Sequence, residues 1–256
     1  MYQKPSHFLG TLELALFNLS PRRVTAFLLR IIALLILFYF LEKGLIYILS
    51  TKYYIRDPSR FLHYFNFDRE SNFPSLYSFL TLGFCSYLLT IITVIKQQNK
   101  AKYVRQWRTL SLIFLFLAID ENCSIHEFLI PVTRKIIDVR GVFYFAWVIP
   151  ASVLVVIFLI AFRKFVFNLP NKTRNLFILA GSVYLFGALG LELVGGYLVD
   201  TSGFYTVKYA VVSTVEELLE MFGIVIFIYA LLSYIQSYLE KLRVSFSFHE
   251  PHKKLL

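Results

Sequence analysis

Six long apolar runs, separated by short polar segments, dominate the pattern of hydrophobic and polar positions. A bilayer-crossing helix needs about 20 mostly apolar residues. The runs that meet this requirement cover about residues 24–41, 74–95, 109–129, 141–162, 175–199 and 209–235. The first run reaches about residue 49 if Glu42 and Lys43 are tolerated inside it. The pattern predicts an all-α, polytopic transmembrane bundle of about six helices, forming a single integral membrane domain over residues 1–256.

Three segments outside the runs carry further predictions. Residues 1–23 contain a short apolar stretch interrupted by Glu13, which favours a helix lying on the membrane surface. Residues 50–73 form an extracytoplasmic loop rich in aromatic and charged residues, predicted to be an interfacial anchor, with a lid over a site as the alternative. Residues 237–256 are predicted to be a basic cytoplasmic tail.

Composition supports a membrane protein. Apolar residues make up 57% of the chain and charged residues only 16%, whereas a soluble domain usually carries about 25% charged residues. So little polar sequence could not cover the apolar surface in water. A lipid bilayer removes this difficulty, and we expect it to be the principal partner.

The net charge of +10 could suggest a nucleic-acid-binding protein, but the positions of the basic residues do not support this. Lys and Arg fall mainly between the apolar runs, which is typical of topology signals and argues against a nucleic-acid partner. With an inner N-terminus, 16 of the 26 basic residues lie on the inner side and nine on the outer side, and Arg30 lies within the first run. The sequence therefore predicts a plasma- or inner-membrane protein with both termini cytoplasmic, and nothing in it supports oligomerisation.

Ionisable residues inside the apolar runs are the main chemical signal. Charged side chains are costly in a bilayer and usually mark functional sites. Of the 16 carboxylates in the chain, seven fall inside predicted spans, and one histidine joins them. These residues are Asp120, Glu121, His126, Glu127, Glu192, Glu216, Glu217 and Glu220. They belong to only three of the predicted helices, the third, the fifth and the sixth.

Helical spacing and depth predict that these side chains meet. On a continuous third helix, Asp120 and Glu127 share one face, together with Cys123. Glu216 and Glu220 are one turn apart on the sixth helix, with Glu217 beside them. With the predicted orientation, the three acidic stripes occupy the same depth, from mid-membrane toward the outer face. We therefore expect one shared polar site that is open to the outside.

So many carboxylates cannot all be ionised at one place in a membrane. Either some hold protons or a bound cation neutralises them, and carboxylates with one imidazole suit a divalent metal. Di-iron bundles use Glu-x-x-His motifs, and this chain has none, so that assignment is not supported. The predicted metal ligands or proton carriers are Asp120, His126, Glu127, Glu192, Glu216, Glu217 and Glu220.

The leading hypothesis is a membrane protein that binds or conducts cations, either protons or a divalent metal. One alternative is a metal-dependent membrane enzyme acting on a lipid or a quinone, with a carboxylate or His126 as general base. Another is a non-catalytic assembly or scaffold subunit whose carboxyl groups only join helices. The sequence has no Gly-x-Ser-x-Gly elbow or phosphate-binding glycine loop that would decide for an enzyme.

Overall fold

The computed structural model describes residues 20–247, with side chains to residue 240. The helices are α1 (Pro21–Lys52), α2 (Phe73–Gln98), α3 (Val104–Cys123), α4 (Leu129–Ile136), α5 (Val148–Phe167), α6 (Asn171–Leu185), α7 (Glu192–Ser202) and α8 (Val207–Ser247). A π-helical segment, Phe186–Leu191, joins α6 to α7. Residues 20–247 contain no strand, so the all-α prediction is confirmed.

Five helical stretches are long and apolar enough to cross a membrane, and they indicate an integral membrane location. They are Pro21–Lys52, Phe73–Gln98, Val148–Phe167, Asn171–Ser202 and Val207–Glu240. The third predicted run forms α3, which is not among the five because it carries arginines near its start and acids near its end. The predicted surface helix at residues 1–23 and the basic tail at residues 237–256 lie largely outside the described residues.

Helices α2 and α3 form a tightly packed antiparallel pair. A capping box starts α2: Asn72 Oδ1 accepts from the Ser75 backbone amide at 3.1 Å, and Ser75 Oγ accepts from the Asn72 amide at 2.9 Å. Farther along, Ser86 Oγ donates to the Ser111 carbonyl at 2.8 Å, and Ser111 Oγ donates back to the Ser86 carbonyl at 2.9 Å. Such small hydroxyl residues let two membrane helices approach closely.

Helix α8 lies at the centre of the bundle and packs against α1, α2, α6 and the π-helical segment. Its side chains Met221, Ile228 and Leu231 are completely buried. The helix runs from Val207 to Ser247, well beyond the predicted span of residues 209–235. Because α8 contacts most of the other helices, acids in its first half face several neighbours at once.

The end of α3 departs from the prediction. Ser124 adopts a left-handed conformation with φ of 49°, and the chain then forms a 3-10 turn, Ile125–Phe128. The helix therefore stops at Cys123, short of the predicted end at residue 129, and Cys123 is exposed. His126 and Glu127 lie on this turn, so the single helical face predicted for Asp120 and Glu127 does not exist.

The loop between α1 and α2 folds back onto the bundle. Phe67 is almost completely buried and packs edge-on against Tyr39 of α1. The backbone amide of Phe65 donates to Glu42 Oε2 at 3.1 Å, and Ser213 of α8 donates to Asp68 Oδ1 at 3.2 Å. The loop is therefore packed against α1 and the first turns of α8.

Candidate functional site

Asp120 and His126 form the first part of the site, and the break after α3 brings them together. Asp120 Oδ1 accepts a hydrogen bond from the His126 backbone amide at 2.7 Å. Asp120 Oδ2 lies 3.1 Å from His126 Nδ1. One carboxylate thus holds both the backbone and the ring of the histidine, which fixes the direction in which Nε2 points.

Trp147 connects this pair to the fifth predicted span. Its ring centroid lies 4.8 Å from that of His126. Its indole nitrogen donates to Glu192 Oε1 at 2.7 Å. Glu192 is the first residue of α7, directly after the π-helical segment, and small buried residues, Gly195 and Gly196, follow it on the same helix. The contacts therefore run from the end of α3 to α7 through a single tryptophan.

The acids of α8 complete the deeper part of the site. The carboxyl groups of Glu192 and Glu216 lie within hydrogen-bonding range of each other, and the Tyr184 hydroxyl lies in the same range of Glu220. Glu217 makes electrostatic contacts with other carboxylates, chiefly those of Glu121, Glu220 and Glu70. Two carboxyl groups can share a hydrogen bond only when one of them carries a proton. We call Asp120, Glu121, Glu192, Glu216, Glu217 and Glu220 the deep acid cluster.

The π-helical segment presses directly against this part of α8. A Cβ atom added at Gly187 would lie 2.9 Å from the Glu216 carbonyl oxygen and 3.1 Å from Glu220 Cγ. A side chain larger than hydrogen therefore does not fit without a shift of α8. π-Helical turns inside α-helices occur frequently at functional sites, and here the turn immediately precedes Glu192.

A second group of ligating atoms lies toward the loop. One atom each from Glu70, His126 and Glu127 lie within 4.8 Å of one another. We call these three residues the outer triad. The His126 Nε2 to Glu70 Oε1 distance is 3.8 Å, which is too long for a hydrogen bond. The other Glu70 oxygen, Oε2, is buried and has no hydrogen-bond partner among the described residues.

Glu70 differs from an ordinary surface glutamate. Partial burial raises its pKa to about 7, with Glu127 and Asp120 acting in the same direction and His126 opposing them. Near neutral pH the carboxyl group is therefore divided between its protonated and its charged forms. A positive charge placed beside it would favour the charged form.

Every residue predicted for the site has a place in this arrangement. Helices α3, α7 and α8 bring Asp120, Glu192 and Glu216 into one connected set of contacts through His126 and Trp147. Glu127 is the outermost of the predicted residues, and its side chain is exposed. Whether these residues hold metal ions or protons stays a prediction.

The sequence interpretation missed the contribution of the loop. Glu70 reaches His126, and Asp68 accepts hydrogen bonds from Ser213 and Tyr209 of α8. Trp147 was missed as well. The sequence offered one indication of this contribution, the alternative that the loop is a lid. A lid over a site brings its own acidic residues next to that site.

The chain belongs to a family described as "Domain of unknown function (DUF8692)", whose sequence model matches residues 27–235. That stretch begins inside α1 and ends inside α8, so it includes the whole deep acid cluster and the outer triad. No curated protein matches the chain, and no solved structure matches it.

Proposed function

We propose that the protein binds cations inside the membrane, with the deep acid cluster holding protons and its mouth open toward the outer side. The observation that supports this proposal best is the close approach of the Glu192 and Glu216 carboxyl groups, which lie within hydrogen-bonding range of each other. Two carboxyl groups at this range share a hydrogen bond when one of them carries a proton. The same chemistry occurs wherever two carboxyl groups share a site that cannot hold both charges.

The surroundings of the pair strengthen this interpretation. The main electrostatic neighbours of Glu216, Glu217 and Glu220 are other carboxylates. Ionising all of them without a counter-charge would be costly in a low-dielectric interior. Protons or bound cations are the neutralising charges that such a cluster requires.

The bias of basic residues toward the inner segments supports an outward-facing mouth. In that orientation the α1–α2 loop and the end of α3 lie on the outer side. Cations then approach from outside, meet the outer triad, and reach the deep acid cluster next to Trp147 and Glu192.

The test uses the full-length protein in lipid nanodiscs and measures the infrared band of protonated carboxylic acids. We expect a band in the native protein that shifts on transfer to deuterated water and is strongly reduced by combining Glu216→Gln with Glu220→Gln. Glu240→Gln is the matched control, because Glu240 is an exposed glutamate on the same helix. An equal band in the native protein and the double variant contradicts proton holding by these residues.

A groove next to the site supports a second candidate, a membrane enzyme acting on a lipid or a quinone. The groove has a volume of about 350 Å³. Its lining is partly aromatic and partly polar: Tyr64, Ser71, Asn72, Phe73, Ser75, Leu76 and Asn122. Asn122 directly follows Glu121, and Ser71 directly follows Glu70, so the groove borders two of the segments that carry the acidic residues. Mass spectrometry of lipids retained by the purified protein tests this candidate, and recovery of bulk lipid composition contradicts it.

A further inference from the structure

The outer triad is built differently from the deep acid cluster. It contains an imidazole, it draws on two separate segments of the chain, and one of its members comes from the loop. A neutral imidazole nitrogen with two carboxylates is a donor set typical of divalent transition metals, whereas carboxylates alone suit Mg²⁺ or Ca²⁺.

His126 is oriented as a metal ligand would be. Asp120 Oδ2 lies 3.1 Å from Nδ1, and in the neutral imidazole with its proton on Nδ1 the lone pair of Nε2 lies on the side of Glu70. Metal-bound histidines commonly donate their other ring nitrogen to a carboxylate, which fixes the tautomer and strengthens the ligand. The ring of Trp147 packs against the imidazole with a 4.8 Å centroid separation and further restricts it.

The separation of His126 Nε2 from Glu70 Oε1 is closer to that of two ligands on one ion than to that of a hydrogen bond. Two ligand atoms on a tetrahedral zinc, each about 2.1 Å from the ion, lie about 3.4 Å apart. The observed 3.8 Å between Nε2 and Glu70 Oε1 is close to that separation. Glu70 Oε2, buried and without a partner, offers a second carboxylate oxygen on the same side.

From these observations we infer that Glu70, His126 and Glu127 bind one divalent transition-metal ion of the zinc type, with Asp120 positioning His126. The inference deepens the proposed cation-binding function and rests on it. Three protein ligands leave a fourth coordination position for water or for a substrate group. Glu127 is exposed, so that position is reached from the loop side of the site.

Cobalt absorption is the appropriate test, because Co²⁺ occupies zinc sites and its visible spectrum reports the ligand geometry. The full-length protein in nanodiscs is titrated with Co²⁺ and then with Zn²⁺. We expect one Co²⁺ per chain with a tetrahedral-type spectrum that Zn²⁺ abolishes. His126→Gln and Glu70→Gln are expected to lose this binding, whereas His63→Gln, in the same loop, retains it.

Two further variants separate the metal site from the deep acid cluster. Asp120→Asn keeps the ligands but weakens the orientation of His126, so we expect an affinity about 10–100-fold lower. Because Asp120→Asn leaves all three ligands in place, this graded loss tests the site even if a ligand variant fails to fold. The combined Glu216→Gln and Glu220→Gln variant is expected to bind Co²⁺ normally while losing its carboxylic-acid infrared band.

The other outcomes of the Co²⁺ titration contradict the metal site. Stoichiometric binding that survives in His126→Gln, or no Co²⁺ binding by the native protein, overturns the metal site while the infrared result still decides the proposed function. Binding lost in Glu216→Gln with Glu220→Gln but kept in His126→Gln moves the metal to the deep acid cluster and also overturns the inference.

Discussion

The indole nitrogen of Trp147 donates a hydrogen bond to Glu192 across 2.7 Å while the other side of the same ring lies against His126. One side chain therefore contacts His126 of the outer triad and Glu192 of the deep acid cluster. The chain has two tryptophans, and the other, Trp107, is buried near the start of α3.

Because the two tryptophans lie far apart along the structure, tryptophan fluorescence can report on the metal site. Co²⁺ bound at the outer triad lies next to Trp147, whereas Trp107 is about 20 Å farther along α3 from Asp120 at 1.5 Å per residue. We expect saturating Co²⁺ to quench the emission of the native protein and of Trp107→Phe. Trp147→Phe removes the nearby emitter, so its remaining emission should be almost insensitive to Co²⁺. Equal quenching in both single-tryptophan proteins argues against a metal at this position.

The pair of Glu192 and Glu216 should show energetic coupling. Replacing either carboxyl group by an amide changes the shared hydrogen bond, so the two substitutions should not be additive. We expect a coupling of about 0.5–3 kcal/mol in the free energy of unfolding, the range for residues in contact. Unfolding by denaturing detergent measures it in Glu192→Gln, Glu216→Gln and the double variant. The cycle of Glu192→Gln with Glu240→Gln is the additive control.

Close packing of the π-helical segment on α8 predicts that Gly187→Ala is destabilising. Its methyl group would lie 2.9 Å from the Glu216 carbonyl oxygen and would force the two helices apart. We expect a loss of about 1–3 kcal/mol, typical of overpacking. Gly181→Ala on the preceding helix is the control, because no atom lies within 4 Å of its added Cβ. If Gly187→Ala leaves the free energy of unfolding unchanged while Gly181→Ala lowers it, the expectation is contradicted.

The two native cysteines test the membrane orientation. Cys85 is completely buried, whereas Cys123 is exposed at the end of α3 on the same side as the loop. With inner termini, a membrane-impermeant maleimide should label intact cells once, and Cys123→Ser should abolish the labelling. Cys85→Ser should leave it unchanged. Labelling of Cys123 only in inverted vesicles would place the site on the opposite side of the membrane.

Local pattern predicted most of the helices and identified the acids. Asp120, Glu192 and Glu216 stand out because ionisable residues are rare in apolar runs. The break at Ser124 was not predictable in the same way, because the residues after it continue a polar helical pattern and the hydrogen bond from the His126 amide to Asp120 is evident only in three dimensions.

The loop residues were harder to predict for a different reason. Glu70 and Asp68 are separated from their partners by long stretches of chain, and no periodicity links a loop to a helix end. Trp147 lies inside the predicted run 141–162, near its start, and tryptophan is common as an anchor near the ends of membrane spans. Its hydrogen bond to Glu192 depends on the packing of α7 and becomes evident only in three dimensions.

The π-helical segment makes the register of the chain as important as its composition. Deleting one residue from the α-helical stretch before it, Asn171–Leu185, would leave the wide turn in place and rotate everything after the deletion by about 100° relative to the start of α6. Glu192 would then turn away from Trp147 and from Glu216, although every acidic residue would still be present. A chain one residue shorter at this point would thus keep all of its acidic residues, but Glu192 would no longer lie next to Glu216.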